Sequence, residues 1–264
     1  MINESPNDDL TANSTPRQSG KSDHARKSAK SQSKDDTQKI SQHPFNQQSP
    51  SNGTINKNEE VIKELFNDYK VFENWCSIKY YEFNTQVGET FHVINNSLSV
   101  NVNNNYMKQS TNTSFCLSSI INKSRNKISE QVKKNIGHGI VIYLQTNGDV
   151  WLRQNCSENV FIESNFLTKE NILINKTGAL KICTHANNKI FSLKLACEQM
   201  KLRINSDPSS TIDKNNFKEF FTIYISFGEV WGPNCLKKTI DQTPCWLEIH
   251  FHPASKLLDI LLSQ

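Results

Sequence analysis

A chain of 264 residues with a formal net charge of +4 and basic residues scattered along its length lacks the concentrated positive patch of a nucleic-acid-binding domain. No apolar run reaches bilayer-spanning length, so no membrane association is expected. The cysteines all lie between Cys76 and Cys245, none in a CxxC spacing, which points to reduced apolar fillers and away from a disulfide framework or zinc site.

Residues 1–58 hold one aromatic side chain, Phe45, and no Val, Trp, Tyr or Cys. Such a stretch cannot bury enough apolar surface to offset chain entropy. We expect residues 1–68 to be a disordered polar tail and residues 69–264 to form one folded domain. From Asn74 to Phe83, Cys76, Ile78 and Tyr80 alternate on one side of a strand, and Val87, Phe91 and Val93 resume the alternation after a polar turn. Leu98, Val100 and Val102 give another strand, and Phe115-Cys116-Leu117 a short one.

A helix follows, with Ser124 as expected cap, Ile128, Val132 and Ile136 on one face and Gly137 at the end. Residues 139–145 and 149–154 flank Asn147-Gly148, a strong hairpin turn. Residues 159–163 and 179–184 continue the strand pattern. Helical spacing of Ile190, Leu193, Cys197, Met200 and Ile204 predicts a helix over 189–204. A strand over 220–227 precedes a loop around Trp231-Gly232-Pro233. From Pro244 onward Cys245, Leu247, Ile249 and Phe251 alternate with Trp246, Glu248, His250 and His252, and residues 254–264 end in a helix with Leu257, Leu258, Leu261 and Leu262 inward. Many short strands with turn signals and a few helices predict a mainly β fold: an antiparallel sandwich with appended helices.

Enzyme chemistry finds little footing. Cys245 and His250 are the only tempting nucleophile and base, and five residues apart on a strand they point to opposite faces. His250 and His252 share a face but no carboxylate or Cys completes a metal set, so they read as exposed surface histidines. No catalytic residue, metal or cofactor is expected. Among the tryptophans, Trp151 and Trp246 sit on strands and suit packing. Trp231, in a loop, is the best contact anchor.

Three stretches, WCSIKYYEFNTQVGETFHV (75–93), NIGHGIVIYLQTNGDVWLRQNCSENVFIES (135–164) and ISFGEVWGPNCLKKTIDQTPCWLEIHFHPASKLLD (225–259), resemble the Smad-type MH2 domain. The details GDVW (148–151), WGP (231–233) and the EIH.H…LLD ending are most similar to the common-mediator class. No Ser-Ser-x-Ser ending is present. The resemblance implies a Smad/FHA-like sandwich with a small helical bundle at one end and a loop–helix face at the other. The DNA-binding MH1 domain usual in that family has no counterpart in residues 1–68, so DNA would be reached only indirectly.

It further implies a transcriptional co-regulator of TGF-β/BMP-type signalling, in cytoplasm and nucleus, that forms a heterotrimer with phosphorylated receptor-regulated Smads and meets transcription co-factors. Alternatives are an inhibitory antagonist and a generic phosphopeptide-binding adaptor. Family positions for gripping a phosphoserine tail match Lys169, Lys218 and Lys237, with Lys238 next to the last; Trp231 and Gly232 join them as expected tail- or partner-binding residues, and Asp259 matches the trimer interface. Two or more cations are needed because phosphoserine carries nearly two negative charges. Departures are Glu229 for a Lys, Cys235 for a Tyr, Tyr224 for an Arg, Ser114 for the Arg that partners the Asp259 position, and Asn101 for a loop Asp.

Overall fold

The computed structural model describes residues 60–63, 65, 73–105, 109–170, 178–206 and 213–263. Strands β1 (Asn74–Glu82), β2 (Thr85–Gln86), β3 (Phe91–Ile94), β8 (Val160–Glu163), β9 (Leu180–Ile182), β11 (Thr222–Phe227) and β12 (Trp246–Phe251) build one sheet, ordered β2-β1-β12-β11-β8-β9 with β3 also on β1. Strands β4 (Ser99–Asn103), β5 (Ser114–Cys116), β6 (Ile140–Leu144), β7 (Val150–Gln154) and β10 (Asn187–Phe191) build the second, ordered β10-β7-β6-β4-β5. Every pairing is antiparallel except β4 with β5.

The period-2 alternation explains the sandwich. Ile78, Ile249 and Ile223 stand opposite one another across β1, β12 and β11, as do Tyr80, Leu247, Ile225 and Ile162 when β8 is included. Their side chains meet Val100, Val102, Ile140, Ile142 and Leu152 of the other sheet in one buried cluster. Each such side chain contributes about 1.5–3 kcal/mol of burial. Packing this close makes Ile142→Ala cost roughly 2–5 kcal/mol.

Helices close one end. Leu193, Ala196, Cys197 and Met200 of α3 (Leu193–Ser206) pack in the same cluster as Leu257, Leu258 and Leu261 of α4 (His252–Leu262) and Phe217 and Phe220 of a 3-10 segment, Lys214–Phe220. The short helix α2 (Asn165–Glu170) follows β8. Helix α1 (Lys127–Ile136) ends at Gly137, whose positive φ of 49° suits a residue without Cβ.

Several expectations change. Asn126, not Ser124, caps α1, accepting from the Ile128 N–H. The buried stripe of α1 is Ser129, Lys133 and Ile136, while Ile128 is 52% exposed. The helix is held by polar groups: Ser129 Oγ donates to Pro244 O at 2.8 Å and Lys133 Nζ to Ile120 O at 3.3 Å. Residues 187–191 are strand β10 on β7, so the helix expected from 189 begins at Leu193. A main-chain ladder outweighs the helical spacing of Ile190 there. His252 opens α4 instead of continuing the strand. Ile62 and Leu65, assigned from sequence to the polar tail, are buried in the core. Of the expected tail, residues 1–59, 64 and 66–68 lie outside the described residues.

Candidate functional site

The outer face of the larger sheet carries a cross-strand row. Lys79, Glu248, Tyr224 and Glu163 stand side by side on β1, β12, β11 and β8, because each sits one residue from an inward-facing apolar neighbour. Glu248 is the hub, with Lys79 Nζ at 2.9 Å from one oxygen and Lys218 Nζ at 2.8 Å from the other. Burial would raise its carboxyl, but hydrogen bonds and charge from Lys218 and Lys79 win and hold it below the ordinary carboxylate range. The same pairing holds Lys218 above the ordinary lysine range although burial pulls it down.

Beside this row lies the loop from Gly228 to Cys245. Trp231 is its anchor, only 3% exposed. Its Nε1 donates to Glu163 at 3.0 Å, and its carbonyl accepts from Ala179 N at 3.0 Å. The expectation of an exposed Trp231 contact is therefore corrected: the ring closes the sheet's outer face and fixes the loop. Gly178 is required opposite it, with φ at +98° and a notional Cβ only 2.2 Å from Trp231 O. Gly232, also buried, donates to Lys237 O at 2.9 Å and accepts from Cys235 N at 3.0 Å.

Ties at both ends leave a stiff protruding tip of Pro233, Asn234 and Leu236, the last 99% exposed. Under the tip is a cleft of ≈ 380 Å³ lined by residues including Tyr224, Trp231, Pro233, Lys238 and Thr168. Lys238 Nζ donates to Pro233 O at 3.0 Å. Lys237 Nζ is 3.7 Å from Glu229, and Lys218 is committed to Glu248. Lys169 is exposed in the last turn of α2, one residue from Thr168 on the cleft wall.

The structure thus gathers Trp231, Gly232, Lys237 and Lys238 in one loop, with Lys218 across Tyr224 at 6.0 Å from the ring centroid. Asp259 stands apart on α4, paired with Lys214 at 2.5 Å. Sequence reasoning missed Lys79, Glu163 and Glu248. Their alternation with buried neighbours was visible, but not the register that aligns them.

The catalytic pair does not assemble. Cys245 Sγ is buried, accepts from Tyr80 Oη at 3.2 Å, and burial pushes its thiol up to about 12. His250 lies on the other face, and it is not the exposed histidine expected. It is half-buried, 4.9 Å edge-on to Phe221 and 5.1 Å from His252, and burial first, then His252, brings it down to about 4. Among the described residues no group of three or more His, Cys, Asp or Glu is arranged to hold a metal, and no helix is long and apolar enough to cross a membrane.

Comparison with known sequences gives a match to the MH2 domain over residues 73–252. This chain belongs to the MH2 domain family. The match takes in the Trp231 loop, the Lys79–Glu248–Tyr224 row and the start of α4. Mothers against decapentaplegic homolog 4 from rat, human and pig is 29% identical to this MH2 chain over 236 residues, covering 78% of the chain and 43% of the relative. The chain spans less than half the length of these relatives. Among solved structures, a chain in the crystal structure of STAT2 in complex with IRF9 aligns with TM-score 0.47 and 9% identity, over 72% of this chain and 98% of that one. The IAD domain of Interferon Regulatory Factor 9 gives 0.44 and 10%, over 73% and 90%.

Proposed function

We propose that this MH2 domain is a non-enzymatic interaction module of TGF-β/BMP-type signalling that assembles with phosphorylated receptor-regulated Smads and reaches DNA through them, in cytoplasm and nucleus. The observation that carries this is the stiff loop: Trp231 and Gly232 hold a tip that sets Lys237 and Lys238 beside a cleft of ≈ 380 Å³. A preformed cationic edge loses little conformational entropy when it grips an anionic tail. Lys169 and Lys218 flank it, and Asp259 on α4 is a second contact in the assembly.

Isothermal titration of the 264-residue protein with a doubly phosphorylated Ser-x-Ser tail peptide tests this. We expect binding that the unphosphorylated peptide lacks and that Lys237→Glu reduces at least tenfold. Equal weak binding of both peptides would remove the mechanism. One observation favours a second reading, an antagonist that occupies partners without productive assembly: Glu229 and Glu248 already engage Lys237 and Lys218. Reporter output on adding the protein to cells separates the two, rising for a co-regulator and falling for an antagonist.

A further inference from the structure

Three histidines meet on the outer face of the larger sheet around one buried hydroxyl. Ser77 on β1 stands between His92 on β3 and His250 on β12, with Thr222 of β11 next in the row. His252, the first residue of α4, brings its ring to 5.1 Å from that of His250. Ser77 Oγ lies 3.1 Å from His92 Nδ1 and 2.6 Å from His252 Nε2. One hydroxyl thus ties both β3 and the start of α4 to β1. It has a single proton to give, so it donates to one ring nitrogen while the other ring donates its N–H to the oxygen. This bridge holds with both rings neutral, and with one ring an imidazolium that donates. With both charged, two N–H groups point at one oxygen, the hydroxyl proton loses its acceptor, and two like charges face each other across a single atom.

The surroundings do not offset a second proton. The carboxylate facing the cluster is Glu248, and Lys79 and Lys218 already hold both its oxygens. From β11 the neighbour is the neutral Thr222, whose Oγ1 is 3.5 Å from His250 Nδ1. Lys256, exposed, follows His252 by one helical turn on the same side. The first turn of α4 carries no acidic residue, and the positive end of the helix opposes a charge on His252. Burial first, then His92, holds His252 below the ordinary histidine range.

We propose that Ser77, His92 and His252 form a proton-operated latch on the start of α4, closed while at most one of the two rings is charged and open when both are. The latch is independent of the Trp231 loop. It makes the order of the helix that carries Asp259 depend on pH.

The test is amide hydrogen exchange of the whole 264-residue protein between about pH 7.5 and about pH 5, a range that spans the ordinary histidine value, with each rate divided by its intrinsic value at the same pH. The reporters are the Lys256 and Leu257 amides, whose helical acceptors are the His252 and Pro253 carbonyls. Opening takes up one further proton, so their protection should fall about tenfold per pH unit below about pH 6.5. Protection of Ile142, on the central strand of the smaller sheet, should fall far less. His92→Asn and His252→Gln each set a neutral amide where the bonding ring nitrogen was, so Ser77 keeps a partner that does not titrate. In both proteins the pH dependence at Lys256 and Leu257 should disappear. A profile flat in pH for the original protein, an equal loss at Ile142 and Lys256, or an unchanged slope in His92→Asn would overturn the proposal.

Discussion

Glu229 is the residue by which this domain's loop should be most revealingly altered. Its carboxylate lies 3.7 Å from Lys237 Nζ, with side chains 36% and 38% exposed. A phosphate gripped by Lys237 would sit about 6.5 Å from that carboxylate, allowing one contact distance beyond the ammonium. With a phosphoserine charge of about −1.7 and an effective dielectric of about 60 for this half-exposed site, the repulsion is about 1.5 kcal/mol. Glu229→Gln removes it and leaves the backbone tie, since Ser226 Oγ bonds the Glu229 carbonyl and not its side chain. Tail-peptide binding should therefore tighten about tenfold at low salt. At 0.15 M salt a Debye length of about 8 Å cuts the gain to roughly threefold. Calorimetry at two ionic strengths measures both. Unchanged affinity at low salt, or a gain indifferent to salt, would show that the phosphate does not bind at Lys237.

Other consequences concern the fold that presents the loop. Arg125 Nε pairs at 2.7 Å with Glu82, which is 5% exposed and also takes bonds from Asn122 and Tyr80. Arg125→Ala strands that charge, so chemical denaturation should report a loss of about 3–4 kcal/mol. Gly178→Ala drives a Cβ into the Trp231 carbonyl, so melting temperature should drop and tail-peptide affinity fall at least tenfold, as paired thermal and calorimetric runs would record. His250, near 4 when folded against 6.5 when unfolded, stays neutral in the fold while the unfolded chain takes up a proton. Stability should therefore decline as pH falls from about 6.5 to about 4, by about 1–2 kcal/mol after discounting for its partial exposure, and no further from this group below that. Denaturation midpoints across that range, with a His250→Phe protein showing a flatter profile, check the sign.

The sandwich was legible because buried strands write a period of two: Ile78 and Tyr80, Ile140 and Ile142, and Leu247 and Ile249 each mark an inward face. What escaped depends on partners distant in sequence. Ile190 satisfies a helical pattern, yet β7 draws residues 187–191 into a ladder. Trp231 lies in a loop and so reads as exposed, yet Glu163 and Ala179, each more than 50 residues earlier, turn it inward. The cationic residues of the site were found by resemblance, but their pairing with Glu229 and Glu248 is a matter of register and loop closure that no local spacing encodes. His250 reads as a surface residue until Phe221 and His252 are seen to cover it.

The central claim is that the Trp231-anchored loop joins this MH2 domain to a phosphorylated partner. Light scattering of the full chain mixed with a receptor-regulated Smad, phosphorylated and unphosphorylated, tests it most directly. A complex with the summed mass of a heterotrimer should form with the phosphorylated partner alone and be lost with Lys237→Glu. Separate masses in both mixtures, or the same complex with either form, would contradict it.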